Sequence, residues 1–237
     1  MIMNSATTNR PPGESSGTKK RHRSGEAAEN RVMALVNEAI QAHRLSPGDR
    51  LTERELSEGA DASRQAVRNA LVRLAEAGLV ILTPNRGARM MQSSPETTRQ
   101  IMRARIVNEG AALQALAGRL DEEGAARLQD ILRQEAACYD EGQINEARQF
   151  SRMFHMTFTE LAGNTMITRF VRELIACQPL LGAHAPNRKS GFSGVPAHTK
   201  TLAALLQGDG HQAEAMNTEL LRALEREFLQ EIAEDQN

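Results

Sequence analysis

Apolar residues recur at helical spacing along most of the chain, and one short stretch near residue 80 changes to a strand-like run. Val32, Leu35, Val36, Ala39 and Ile40 form one stripe over residues 29–42 and predict a first helix. Residues 52–55 (TERE) have the capping-box form, so a short helix is expected over residues 53–59. In residues 63–79, Val67, Ala70, Leu71 and Leu74 fall at i, i+3, i+4 and i+7. Ser63 is placed to cap the start of that helix and Gly78 to end it in a left-handed conformation. Between the two helices Asp61 tolerates the left-handed turn that a tight corner needs, although flanking Ala60 and Ala62 should give it a weakly packed core. Residues 79–83 are apolar and β-branched, residues 84–87 (PNRG) read as a turn, and residues 88–92 return as a second strand. After a Ser-Ser-Pro linker the helical period takes over completely. It predicts helices near residues 95–120, 121–141, 144–162, 165–181, 195–207 and 210–234, with Gly163-Asn164 and Gly208-Asp209-Gly210 as stop and restart signals. Residues 183–194 are polar, carry Pro186 and two glycines, and are expected to be the one long mobile connection of this half.

The polar side of the helix over residues 63–79 carries Arg64, Gln65, Arg68, Asn69 and Arg73. Arginine can bond bidentately to guanine, and Gln or Asn to adenine, from a helix narrow enough for the major groove. A merely solvated helix face stays open as the alternative. Arg54 opens the preceding short helix and Arg86 stands at the tip of the small wing. Residues 40–90 as a whole resemble the winged helix-turn-helix of the GntR family of bacterial transcription regulators. That resemblance implies a protein that binds double-stranded operator DNA as a homodimer on a palindromic site, with metabolite-relieved repression. The residues it points to on the helices are Arg54, Ser63, Arg64, Gln65, Arg68 and Asn69, and on the wing Arg86 and Gly87. This chain departs from the family at Gln65-Ala66 and Asn69, where relatives commonly carry Thr-Pro and Glu, so its operator is expected to differ.

The second half resembles the all-helical FCD effector domain of the FadR-type subgroup of that family, through Arg105-Ile-Val-Asn-Glu109, Phe154-His155, residues 162–164 (AGN), and His198 followed by Leu202, Gly208-Asp209 and Ala213. Many members hold a divalent metal between an Asp and a His four residues apart and two further histidines. His155 and His198 match two of these positions, Ser151 stands where the Asp is expected, and Glu219 where the last His is expected. Zn or Ni on His155, His198 and Glu219 is one reading, because Glu is a legitimate ligand. A metal-free polar pocket for an organic effector, and a purely structural histidine pair, stay open beside it. Arg105 and Arg148, with Arg152 placed similarly, are candidates to meet an anionic effector, a carboxylic acid being the expected class, unless they pair with Glu109 or another acid. Phe150, Phe154 and Phe158 are expected to be core.

The resulting fold class is mostly α. It has a disordered basic arm over residues 1–25, a winged helix-turn-helix with a small β wing over 26–92, and a six-helix bundle over 95–237 for effector binding and dimerisation. Composition agrees, with 40% hydrophobic and 25% charged residues. The net charge of −1 divides into +4 over residues 1–92 and −5 over the rest, which suits a protein with one domain facing phosphate. The cluster KKRHR at residues 19–23 could lie along DNA. No apolar run approaches the roughly 20 residues that span a bilayer, and the first 25 residues lack a signal peptide's apolar core, so no membrane is involved and the cytoplasm is the expected location. Cys138 and Cys177, without any CxxC, should be reduced and packed. A metal-dependent hydrolase centred on the two histidines lacks HExxH, a nucleophile motif or a phosphate loop, so no enzyme is expected. An architectural DNA protein with an inert helical half is the other rival.

Overall fold

A computed structural model of the 237-residue chain describes residues 16–42, 44–84, 86–181 and 193–235. The first half is built from α1 (Ser16–Gln41), β1 (Arg50–Leu51), α2 (Glu53–Gly59), α3 (Arg64–Glu76), β2 (Val80–Thr83) and β3 (Gly87–Met90). The second half follows as α4 (Pro95–Leu116), α5 (Glu122–Asp140), α6 (Ile144–Leu161), α7 (Thr165–Cys177), a 3₁₀ turn at Gln178–Leu180, α8 (Val195–Leu206) and α9 (Gly210–Asp235).

The ends of the elements follow from the side chains at them. Ser63 Oγ accepts from the Ala66 amide at 3.2 Å and caps α3. At the other end the Leu79 amide reaches Leu74 O at 2.9 Å and the Gly78 amide reaches Ala75 O at 3.0 Å, with Gly78 at φ +76. That pair of bonds is the Schellman arrangement, and it satisfies carbonyls the helix would otherwise leave open. Thr52 Oγ1 accepts from the Glu55 amide at 3.3 Å and caps α2, while its hydroxyl donates to Glu55 Oε2 at 2.6 Å. Asp61 does take a left-handed conformation, at φ 44, in the corner between α2 and α3. In the second half Ser94, Asp121 and Asn164 cap α4, α5 and α7 through their side chains.

Two expectations change, and a third falls mostly outside the described residues. The arm expected over 1–25 does not extend to residue 25: α1 starts at Ser16 and carries the basic cluster on its first turns, while residues 1–15 lie outside the described residues. The wing has a third strand. Arg50 and Leu51 pair antiparallel with Arg89 and Ala88, giving the order β1-β3-β2, and the Met90 amide extends the ladder to Asp49 O at 2.8 Å. Two residues are too short to show a period, so the strand left no mark in the sequence pattern. The long connection expected over 183–194 lies mostly outside the described residues.

Two buried clusters hold the molecule. One fills the bundle between α4, α5, α6, α8 and α9, with Leu113, Leu128, Phe154, Phe158 and Leu205 at its centre. The other joins both halves: Val36, Val67, Leu74 and Leu79 of the first half share a core with Met102 of α4, Cys177 at the end of α7, Leu180 and Leu181 just beyond it, and Leu221 of α9. No helix among the described residues is long and apolar enough to cross a membrane.

Candidate functional site

The outer face of α3 presents Arg64, Gln65, Arg68 and Asn69 to solvent, while Val67, Ala70, Leu71 and Leu74 bury its other side. These polar groups are partly tied to one another. Gln65 Nε2 donates to Asn69 Oδ1 at 2.9 Å, and Asn69 Nδ2 donates to Glu29 of α1 at 2.7 Å. Asn69 therefore leans toward α1 and has to release Glu29 before it can meet a base edge. Arg68 sits 3.4 Å from Glu53, and Arg54 3.4 Å from Glu58. Exposed pairs of this kind are worth less than about 1 kcal/mol, so a phosphate can replace the carboxylate at little cost. Arg86 is exposed in the turn and Gly87, at φ +83, opens β3. Between α3 and the wing lies a groove of about 600 Å³ lined by Arg50, Arg68, Val72, Leu82 and Pro84. Arg50 was not singled out in the sequence because the strand that carries it is only two residues long.

The second site is a chain of polar groups sealed inside the bundle. Arg105 of α4 is fully buried; its Nε donates to Glu109 Oε1 at 2.6 Å and its Nη1 to Gln178 Oε1 at 2.6 Å. Glu109 Oε2 faces His155 Nδ1 at 2.8 Å and accepts from Asn217 Nδ2 at 3.0 Å. His155 Nε2 faces His198 Nε2 at 3.2 Å, and His198 Nδ1 faces Glu135 Oε2 at 2.8 Å. Phe154 walls the pair, its ring 4.7 Å from that of His198. Burial alone would raise Glu109, yet Arg105 and His155 hold it down to about 2. Burial pushes His155 down to about 4, against the opposing pull of Glu109. Arg105 Nη2, Glu135 Oε1 and Asn217 Oδ1 are buried without a hydrogen-bond partner among the described residues. Arg152, one turn before His155, is lowered to about 10 by burial and then by the like charges of Arg148 and Arg105. Three guanidinium groups thus share one neighbourhood, and a buried donor that lacks an acceptor is costly until a ligand supplies one.

Not every expected residue joins this site. Arg105, His155 and His198 do, and Ser151 and Arg148 are half-buried on the same helix as His155. Glu219 does not: it is exposed on α9 and borders a surface groove with Lys200, Arg222 and Arg226. Two residues on a helix are about 200° of rotation, so with Asn217 facing inward Glu219 must face away. The sequence carried that signal, since 217 falls in the apolar stripe of Ala213, Leu220 and Leu221 and 219 does not. Glu135, Gln178 and Asn217 were the residues missed. For a metal, the two Nε2 atoms converge, and each imidazole is oriented from behind by a carboxylate as metal-bound histidines usually are. A third ligand is lacking, because no group of three His, Cys, Asp or Glu side chains among the described residues is placed to hold an ion. The donor set does not fit a fully ligated Zn or Ni.

Comparison with known proteins agrees with this two-part build. Residues 28–90 match the model of the bacterial regulatory proteins of the gntR family, and residues 100–223 match the FCD domain. The HTH-type transcriptional repressor RspR of Escherichia coli is 30% identical over 118 residues, which are 50% of this chain and 52% of RspR, so the match spans about half the length of that relative. The HTH-type transcriptional regulator LutR of Bacillus subtilis is 26% identical over 200 residues, 74% of this chain and 90% of LutR. Among solved structures, E. coli McbR/YncC superposes with a TM-score of 0.74 at 19% identity, covering 86% of this chain and 97% of that one. A GntR regulator from Rhodococcus sp. RHA1 gives 0.71 at 24%, covering 85% and 97%. With a head that presents arginines beside a wing and a bundle that seals an arginine whose Nη2 has no acceptor among the described residues, the chain belongs to the GntR family of bacterial transcription regulators, in the branch whose DNA-binding domain is joined to an FCD effector domain.

Proposed function

We propose that this regulator is a repressor that binds a palindromic operator as a homodimer and leaves it when an organic acid enters the bundle beside Arg105. The observation that carries the reading is Arg105 Nη2, a cationic donor buried at 0% exposure with no acceptor among the described residues, next to Arg148 and Arg152. A carboxylate supplies two oxygens in the geometry a guanidinium fork accepts. The Nε2 atoms of His155 and His198, 3.2 Å apart, would part to meet a hydroxyl or keto oxygen of the same molecule, and no metal is required for that. Two imidazoles alone hold Zn or Ni weakly, so metal is an adjunct in this reading and not the receptor.

The test is a thermal-shift screen of the full chain against mono-, di- and hydroxycarboxylic acids, each paired with its neutral amide. A ligand at about 100 times its Kd adds roughly 2.7 kcal/mol, which for a chain of this size is a rise of about 5–10 °C. At least one acid should reach this, its amide should not, and the same acid should release a DNA fragment selected from random sequence by the protein. Amides that stabilise as well as their acids would remove the arginine from the receptor.

A further inference from the structure

The buried arginine of the effector site and the end of the recognition helix α3 are joined by two consecutive residues. Gln178 accepts from Arg105 Nη1 at 2.6 Å. Its neighbour Cys177 donates from Sγ to Ala77 O, the capping carbonyl of α3, at 3.5 Å, and a Cβ at Gly78 would meet that sulfur at 3.5 Å. We infer that Gln178 is a positioning residue that transmits the state of Arg105 to the C-terminal cap of the recognition helix.

The surroundings make the link stiff. Gln178 begins a 3₁₀ turn whose next residue is Pro179, and Cys177, Leu180 and Leu181 are all buried in the core that also contains Leu74 and Leu79. Leu74 and Leu79 are the two ends of the Schellman bond that closes α3. Burial pushes the Cys177 thiol up to about 11, so it keeps the proton it donates. Packed interiors shift between discrete arrangements and do not stretch smoothly, so a displaced turn moves its neighbours. Arg105 has its Nε engaged by Glu109 and its Nη1 by Gln178, which leaves Nη2. An anion that binds end-on across Nη1 and Nη2 therefore competes with Gln178 Oε1 for Nη1. Loss of that bond frees the turn, and with it the sulfur that rests on the α3 cap. The route rests on the reading that the effector binds at Arg105, and it adds which residue carries the signal out.

The test needs no effector, so its failure sinks the route alone, whereas failure of the acid screen sinks the effector reading and leaves this result standing. Hydrogen–deuterium exchange is measured on the full chain for wild type, Gln178→Leu, Gln178→Glu and Cys177→Ala. Gln178→Leu removes the acceptor at similar size and should speed exchange of the Gly78 and Leu79 amides at least about fivefold, with amides in the middle of α3 unchanged. Gln178→Glu keeps the acceptor and should match wild type at those amides. Cys177→Ala leaves Arg105 untouched and should loosen the same two amides, which keeps the inference testable if Gln178→Leu folds poorly. Faster exchange confined to residues 173–181, with Gly78 and Leu79 at the wild-type rate in both Gln178→Leu and Cys177→Ala, overturns it.

Discussion

Three contacts link Glu109, His155, His198 and Glu135, and Arg105 stands at the Glu109 end of the row. Buried carboxylates persist in a dry interior only when paired and hydrogen-bonded, and Glu109 is held by Arg105, His155 and Asn217. The pH dependence of stability follows from His155. Its folded value, about 4, lies below its ordinary 6.5, so the unfolded chain takes up a proton that the folded chain refuses. Stability from this group is complete above pH 6.5 and falls as pH drops toward 4, by on the order of 3 kcal/mol. Glu109, held from 4.5 down to about 2, adds a second loss as pH falls from 4.5 toward 2. Urea midpoints between pH 7 and pH 4 should decline steeply in wild type and by about one proton's worth less in His155→Gln. Equal slopes in the two proteins would mean that His155 is not shielded from protonation.

At the scale of elements, α3 does two jobs on opposite faces, and its exposed one is tested through Arg64 and Arg68. A lost base contact costs about 1–3 kcal/mol and a lost phosphate contact weakens all sequences alike. Arg64→Ala and Arg68→Ala should each weaken binding to the selected fragment at least about tenfold, measured by fluorescence anisotropy at moderate salt; wild-type affinity in both would move the reading surface off α3. The helix itself was legible because its signals are local: Ser63 and Gly78 bracket a stripe of four apolar residues, and both caps form. The nine helices predicted across the chain each correspond to a helix among the described residues for the same reason. What stayed hidden was set by distant partners. β1 exists only because Leu51 finds Ala88 across the sheet. Glu135 looks like any surface acid of an amphipathic helix until α8 brings His198 to it. Gln178 lies 73 positions from Arg105 and carries no pattern at all. Glu219 was assigned by resemblance against the helical period, and the period decided the outcome.

At the scale of the molecule, α4 stands between the effector site and an apolar surface. Its inner face carries Met102, Arg105 and Glu109, while Val107, about 200° around from Arg105, is 65% exposed. The neighbouring α7 exposes Met166 and Phe170, at 51% and 42%. The homodimer proposed above would use these exposed apolar side chains of α4 and α7, and a two-fold axis through them would place two recognition helices on one duplex. A stable interface buries about 800 Å² on each partner, so these side chains should be central to it. Light scattering at micromolar concentration is expected to give about twice the 26.0 kDa chain mass without DNA. Val107→Glu combined with Phe170→Glu should give the single-chain mass and bind the selected fragment at least tenfold more weakly, because each head then holds its half-site alone. The bundle core lies on the other side of α4, so the double variant should keep its helical circular dichroism. A wild-type protein that runs as a monomer, or a double variant that remains dimeric, would place the two-fold contact elsewhere on the bundle and leave the link between α4, Arg105 and the DNA-binding heads to act within one chain.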